Sequence, residues 1–244
     1  MTMILYGKNS VSERLKADPK SIRKIFLQDN FEVSHIEALI KKNNVSVERL
    51  TPKALSKLKP VKDLQGIVAK IDDFNYASFK DLLARPKKEK FTLIFLDRLF
   101  DPHNLGVIIR TAACFGGFAI VIPEYEACEV TEAVLHVASG GENYVVVAMV
   151  PNLVNAAIAA KKNEYWIAGG VVSDDAKDLN EVELPFPLVF VLGSEGSGVR
   201  HGLQKQLDVK VRITMQGAKL SFNVATAGAI FCHEISRQRG VLHG

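Results

Sequence analysis

The chain has 244 residues, of which 48% are hydrophobic, and a formal net charge of +4 at pH 7. It contains no run of about 18 apolar residues, and its first residues, MTMILYGKNS, lack the basic start and cleavage site of a signal peptide, so we expect a cytoplasmic protein without a membrane partner. The three cysteines are isolated and no histidine stands at metal-ligand spacing, so we expect reduced thiols and no bound metal.

The charge is distributed unevenly along the chain. Residues 1–90 contain 19 Lys and Arg against 11 Asp and Glu, a net charge of +8, whereas residues 91–244 have a net charge of −4. A basic amino-terminal third is typical of a module that faces nucleic acid, because neutralising phosphates supplies most sequence-independent affinity. A solvated lysine-rich surface is the alternative.

The amino-terminal third predicts a small α/β unit. In chain order its segments predict a strand, a helix that ends at Asn43 and Asn44, and two further strands: SIRKIFLQDN, HIEALIKKNN, VSVERL and LQGIVAKID. An amphipathic segment then stops at Pro86 and lysines follow, which disfavours a continuing helix. We therefore predict a first domain at residues 1–75, a linker at 76–90 and a second domain at 91–244.

The second domain alternates continuous apolar runs with helices rich in small residues. The runs predict six strands: FTLIFLD, FAIVIP, YVVVAMV, YWIAGGV, PLVFVLG and VKVRITM. Helices are predicted to begin near Asn104, Glu129, Asn152, Val199 and Asn223. Strands that are apolar on both faces suit a parallel sheet covered by helices on both sides, so the fold class is α/β.

The first stretch with potential chemistry is LDRLFDPHNLGVIIRTAACFGG. Asn104 is placed to cap a helix that ends at Phe115. Arg110 is surrounded by small residues on that helix, which predicts no obvious solvent face and a guanidinium available to bind phosphate. The alternative is a structural ion pair with Asp97 or Asp101.

The second stretch, VLGSEGSGVR, follows a buried strand at the sheet edge where open α/β folds bind ligands. Its glycine order differs from both the dinucleotide fingerprint and the Walker loop. Glu195 would repel phosphate, whereas a ligand with a positive centre, such as S-adenosylmethionine, removes that objection. Alternatively, Glu195 pairs with Arg110 or another arginine.

The third stretch is ITMQGAKLSFNVATAGAIFCHEI. Ile213 and Met215 could wrap a flat apolar group such as adenine or belong to the core. Ser221 or Asn223 could cap the last helix. That helix has a stripe of small residues that could pack within the domain or form a dimer seam: Ala225, Ala229 and Cys232.

Together, N-x-G-x-x-x-R at 104–110, G-S-E-G-x-G at 193–198 and S-x-N-V at 221–224 resemble the three motifs of the SpoU (TrmH) family of RNA ribose 2'-O-methyltransferases. The first 75 or so residues resemble the RNA-binding module of that family, which is similar to ribosomal protein L30e. The family usually has S-L-N-V where this chain has Phe222 at the second position, and H-Q-G where it has Leu64 at the first. The second departure puts the exact RNA target in doubt.

The resemblance implies S-adenosylmethionine-dependent methyl transfer to a ribose 2'-hydroxyl, with a guanosine of 23S-type ribosomal RNA as the expected target. It also implies a deep carboxyl-terminal trefoil knot and a homodimer with the active site close to the subunit interface. The implied catalytic residues are Asn104, Arg110, Glu195, Ser221 and Asn223. The implied cofactor contacts are Gly169, Leu192, Gly193, Gly196, Ile213, Met215, Leu220 and Ser221.

Other functions stay open at this point. A transfer RNA 2'-O-methyltransferase and a non-catalytic RNA-binding relative are the alternatives within the family. A nucleotide-dependent dehydrogenase or NTPase is disfavoured by the glycine order and by Glu195.

Overall fold

The computed structural model of the protein describes residues 2–194, 196–218 and 220–243. The first sheet has four strands in the order β1-β4-β2-β3. These strands are β1 (Thr2–Tyr6), β2 (Ile22–Gln28), β3 (Val47–Leu50) and β4 (Ile67–Asp72). The helices of this part are α1 (Lys8–Ala17), α2 (Ser34–Lys42) and α3 (Pro52–Leu58). The predicted helix ending at Asn43 is confirmed, since Asn43 caps α2.

The second sheet has seven strands in the order β7-β6-β5-β10-β8-β11-β9. They are β5 (Thr92–Leu96), β6 (Phe118–Pro123), β7 (Val146–Val150), β8 (Trp166–Gly170), β9 (Lys177–Asp178), β10 (Leu188–Leu192) and β11 (Val209–Arg212). All neighbouring strands run parallel, which confirms the predicted parallel sheet. The helices are α4 (Phe79–Leu83), α5 (Pro102–Phe115), α6 (Glu132–Ala138), α7 (Leu153–Lys162), α8 (His201–Gln204) and α9 (Val224–His243).

Both faces of this sheet are buried because the side chains of its central strands alternate between two cores. Ile94 and Phe190 point into the core shared with α5, α6 and α9. Leu93 and Val191 point into the core shared with α4, α7 and α8. Because β5, β10 and β8 are parallel neighbours, their carboxyl ends meet at one edge of the sheet, and the loops that follow them share that edge.

The segment predicted as a linker packs on the second sheet. Ala77 forms a bridge with Ala148 beside β7, and Leu82 and Leu83 of α4 are buried in the core on that side. The run of lysines follows this anchored helix.

The small domain is docked on α6. The Ile4 N–H donates to Glu132 Oε1 at 2.6 Å, and Lys59 Nζ lies 2.5 Å from Glu132 Oε2. The Tyr6 ring stacks on His136 with centroids 4.1 Å apart. Because α6 packs on α5, α6 lies between much of the small domain and the helix that carries the first motif.

The order of strands does not define how the carboxyl-terminal segment threads, so the predicted trefoil knot stays a prediction. After β11 the chain passes through residues 213–218 and 220–223 and then enters α9, which packs against α5. In the described part of the chain, no helix has the length and apolar character needed to cross a membrane.

Candidate functional site

A cavity of about 830 Å³ opens at the carboxyl edge of the second sheet. Three loop segments, together with α9, line it: residues 170–173 from the end of β8, residues 192–194 and 196–199 from the end of β10, and residues 211–215 and 220–222 from β11 toward α9. The second and third motifs therefore form two of its walls.

The predicted cofactor contacts converge on this cavity, with one exception. The residues of that set that line it are Leu192, Gly193, Gly196, Ile213, Met215, Leu220 and Ser221. Gly169 lies in β8, paired with Val191 and Lys210, and its α-carbon faces Leu207 on the opposite side of the sheet. Because side chains alternate along a strand, Gly170 contributes to the wall where Gly169 was predicted.

The floor of the cavity is aromatic and its rim is apolar. Phe231 of α9 is buried and packs on Phe190 with ring centroids 4.5 Å apart. A β-carbon on Gly170 would lie 2.9 Å from the Phe231 ring, so the glycine permits this close packing. Met215 and Leu220 are exposed at the rim, and Ile213 packs partly against the core. This arrangement suits an apolar group with polar contacts from the surrounding backbone.

The second-motif loop folds back on itself. The Gly198 N–H donates to the Ser194 carbonyl at 2.9 Å, and Gly198 has a positive φ of 62°. A β-carbon on Gly193 would overlap backbone atoms of Gly198 and Val199. The loop therefore requires glycine at 193. Glu195, a predicted catalytic residue, lies outside the described residues.

Asp97, directly after β5, binds Arg200 at the end of this loop. Its side chain is fully buried, and its carboxylate accepts hydrogen bonds from Arg200 N–H at 2.7 Å and from Arg200 Nε at 2.6 Å. The alternative that Asp97 pairs with Arg110 is therefore wrong. The pair of Asp97 and Arg200 was not predicted from the sequence. The signal that could have indicated it is an Asp directly after a buried strand at the ligand-binding edge.

The predicted capping role of Asn104 is wrong. The Asp101 carboxylate accepts the His103 N–H at 2.9 Å and caps α5, because Pro102 starts the helix two residues earlier than predicted. Asp101 is thus a cap rather than the counter-ion of Arg110. Asn104 is buried in the first turn, and its Oδ1 accepts a hydrogen bond from Asn223 Nδ2 at 3.0 Å. This bond joins the first motif to the third.

Asn223 is the cap of α9, and Ser221 is exposed on the cavity wall. The Asn223 Oδ1 accepts the N–H groups of Ala225 at 2.8 Å and Thr226 at 3.4 Å. One side chain thus caps a helix and bridges two motifs.

Replacing Asn223 with alanine should lower the free energy of unfolding by about 1–3 kcal/mol, because the cap and the bond to buried Asn104 are both lost. Chemical denaturation measures this loss. Asn223→Ser is the matched variant, since serine caps helices but is too short to reach Asn104, and it should recover part of the stability. Equal stabilities for Asn223→Ala and the wild type would contradict both assigned contacts.

Arg110 is exposed, which contradicts the prediction that it lacks a solvent face. The turn at Gly141–Asn143 packs against its backbone, since a β-carbon on Gly141 would lie 2.9 Å from the Arg110 Cα. The long side chain extends beyond this contact into solvent. No carboxylate in the described part of the chain forms an ion pair with it, and it does not line the cavity.

The small-residue stripe of α9 packs within the chain. Ala225 and Cys232 are buried in the core shared with α5, and burial raises the pKa of the Cys232 thiol to about 12. A β-carbon on Gly228 would lie 3.5 Å from Ile108 of α5. For Ala225 and Cys232, intradomain packing is therefore the correct alternative, and neither is available to a dimer seam. Ala229 is half-buried.

Comparison with known proteins agrees with this geometry. Residues 91–233 match the model of the SpoU rRNA Methylase family, and residues 4–77 match the RNA 2'-O ribose methyltransferase substrate binding domain. The TrmH family tRNA/rRNA methyltransferase YacO of Bacillus subtilis is 32% identical over 238 residues, covering 96% of this chain and 94% of that protein.

Two solved structures share the fold. The SpoU methyltransferase AviRb of Streptomyces viridochromogenes, in complex with AdoMet, has a TM-score of 0.80 at 20% identity and covers 100% of this chain and 92% of its own. An AdoMet-bound rRNA methyltransferase of Sinorhizobium meliloti has a TM-score of 0.78 at 22% identity, covering 98% and 87%. With its two domains matched in order by the family models, the chain belongs to the SpoU family of RNA methyltransferases.

Proposed function

We propose that this protein transfers a methyl group from S-adenosylmethionine to a ribose 2'-hydroxyl of RNA, with a guanosine of 23S-type ribosomal RNA as the target. The observation that carries the proposal is the cavity whose walls are the second-motif and third-motif loops, joined to the first motif by the bond between Asn223 and Asn104. The basic amino-terminal domain, docked on α6, supplies the RNA-binding surface.

The cavity fits the cofactor by size and by chemistry. Its volume falls within the range of about 300–1,000 Å³ typical of small-molecule sites. The Gly193 backbone offers polar main-chain groups to a ligand in this cavity. Met215 and Phe231 offer apolar surface beside them. The bound cofactor supplies an electrophilic methyl group on a sulfonium. The chain itself holds that group in line with the hydroxyl, which is how positioning lowers such a barrier.

Arg110 is the residue to which we assign activation of the acceptor hydroxyl. An arginine remains protonated because its pKa exceeds about 12, so it is a poor base on its own. We therefore assign it to an RNA phosphate, which it holds bidentately so that the phosphate assists loss of the hydroxyl proton. We assign Asn104 and Asn223 to fixing the third-motif loop, from which Ser221 faces the ligand. Glu195 of the second motif is assigned to orienting Arg110 and the ribose.

The absence of Arg110 from the described lining of the cavity supports a homodimer. Arg110 is exposed and absent from the cavity lining, although its role requires contact with the acceptor. A dimer in which α5 of one protomer faces the cavity of its partner would bring the two together.

Mixing two inactive variants tests this arrangement. Arg110→Ala and Gly193→Ala should each be inactive, and co-refolded mixtures should regain methyl transfer, because one of the two composite sites in a mixed dimer carries neither change. Mixtures that stay inactive while mixed dimers form would place both residues in a single-chain site.

The target RNA is tested by mapping ribose methylation in cells with and without the protein. The proposal expects one guanosine of the large-subunit RNA to lose its 2'-O-methyl group in the deletion strain, with transfer RNA unchanged. The match of residues 91–233 to the SpoU rRNA Methylase family model supports ribosomal RNA. Loss of methylation confined to transfer RNA would replace this target with the tRNA alternative. A protein of this activity would work in the cytoplasm.

A further inference from the structure

Two arginines share one buried carboxylate beside the cofactor cavity. Asp97 Oδ1 lies 2.6 Å from Arg200 Nε and 4.0 Å from Arg98 Nε. Arg98 follows β5, Arg200 follows the second-motif loop, and Arg98 Nη2 donates to the carbonyl of Gly198, which lines the cavity, at 3.4 Å. The arginines thus lie at the junction of the first-motif and second-motif loops.

Arg98 occupies a backbone conformation that its residue type rarely adopts. Its φ is 58°, in the left-handed region that favours glycine. Its Nε is buried without a hydrogen-bond partner among the described residues, while 27% of the side chain remains exposed. A strained backbone that holds a partly unsatisfied guanidinium at a ligand-binding edge points to a function for that side chain.

The charges at this junction do not balance in the interior. Asp97 is the one buried acid facing both guanidiniums in the described structure, so one positive charge has no buried counter-charge. The other carboxylate in reach is Glu126, 3.5 Å from Arg200 Nη2, and its side chain is 64% exposed. An exposed carboxylate at that distance is a weak partner that a stronger anion can displace.

We propose that Arg98 and Arg200 form a binding site for a backbone phosphate of the substrate RNA at the rim of the cofactor cavity, with Asp97 as the positioning residue beneath them. The proposal rests on the proposed function, since it assigns a contact of the RNA at that site. Guanidinium forks bind phosphate oxygens in paired hydrogen bonds, and the shared carboxylate fixes where the forks point. RNA is the ligand that carries phosphates to this edge when its ribose approaches the cavity.

Arg98→Gly is the variant that tests it, because glycine accepts the φ of this position while the guanidinium is removed with the rest of the side chain. Transfer to ribosomal RNA isolated from cells that lack the protein should show a KM for RNA raised roughly tenfold or more, with a smaller change in kcat. The slope of log Kd against log salt should fall by about 0.7–0.9, the contribution of one phosphate contact. Calorimetric binding of S-adenosylhomocysteine and the thermal midpoint should match the wild type or exceed it.

Two further variants sharpen the result. Arg98→Lys keeps the charge and the strained backbone but lacks the fork, so its KM should fall between those of Arg98→Gly and the wild type. Glu126→Gln removes the competing exposed carboxylate, and its KM for RNA should drop below that of the wild type.

Two outcomes would overturn the site. An unchanged KM and salt slope in Arg98→Gly would do so, whether or not the thermal midpoint falls. So would a change of oligomeric state in sedimentation without an effect on RNA binding, which would make Arg98 a subunit contact. A wild type that transfers no methyl group to any RNA would instead overturn the proposed function, so the two failures are distinguishable.

Discussion

Methyl transfer by Arg110→Ala should fall on the order of 10²–10⁴-fold, the usual contribution of a group that assists proton transfer. The side chain is exposed and forms no ion pair with a described carboxylate, so its removal should leave the thermal midpoint within measurement error. Binding of S-adenosylhomocysteine should also be retained, because Arg110 does not line the cofactor cavity. Steady-state transfer kinetics, calorimetry and thermal denaturation measure the three quantities.

Arg110→Lys is the matched control for this prediction. Lysine keeps the positive charge but cannot hold a phosphate through two parallel hydrogen bonds, so activity should recover only in part. Normal turnover by Arg110→Ala, with cofactor bound as in the wild type, would show that the arginine has no role in the reaction.

Gly193→Ala should weaken cofactor binding more than tenfold and lower the free energy of unfolding. The added β-carbon would overlap backbone atoms of Gly198 and Val199, and backbone cannot move aside as a flexible side chain can. Opening the loop to admit the methyl group should cost about 1–3 kcal/mol, typical of overpacking a tight site. The Kd for S-adenosylhomocysteine should rise more than tenfold, which corresponds to a loss of more than about 1.4 kcal/mol of binding free energy.

Gly202→Ala is the control for Gly193→Ala. Gly202 lies in α8 just after the loop, and a β-carbon there would meet Val154 at an ordinary contact distance of 3.5 Å. Alanine in this helix should bind the cofactor normally and match or exceed the wild-type stability. Normal cofactor affinity in Gly193→Ala would mean that the fold of the loop does not shape the ligand site.

The parallel sheet could be predicted because its strands carry an unambiguous pattern. Runs such as FTLIFLD and PLVFVLG are almost continuously apolar since each face meets a separate core, and this pattern has few other interpretations. The strand β9 was missed because it has only two residues. In the first domain, β1 and α3 were missed because they have only five and seven residues. The helix α1 was missed because two of its four buried residues are serines, which give no apolar pattern.

The candidate site was only partly readable from the sequence. The loops of the second and third motifs lie where the resemblance placed them because they follow strands of the same edge. The pair of Asp97 and Arg200 joins residues 103 positions apart, a separation that no local pattern reports. The exposure of Arg110 was predicted wrongly because small helical neighbours resemble a buried face, whereas the turn at Gly141 packs against the Arg110 backbone and leaves the residue exposed.

In the proposed function, the cavity presents the methyl group of S-adenosylmethionine to a ribose oxygen of RNA. Reaction of the purified protein with deuterated-methyl S-adenosylmethionine and ribosomal RNA from a deletion strain, followed by nucleoside mass spectrometry, tests it directly. We expect the label on the ribose of guanosine, and its loss in Arg110→Ala and Gly193→Ala. Label on a nucleobase, or no label with the cofactor bound, would contradict it.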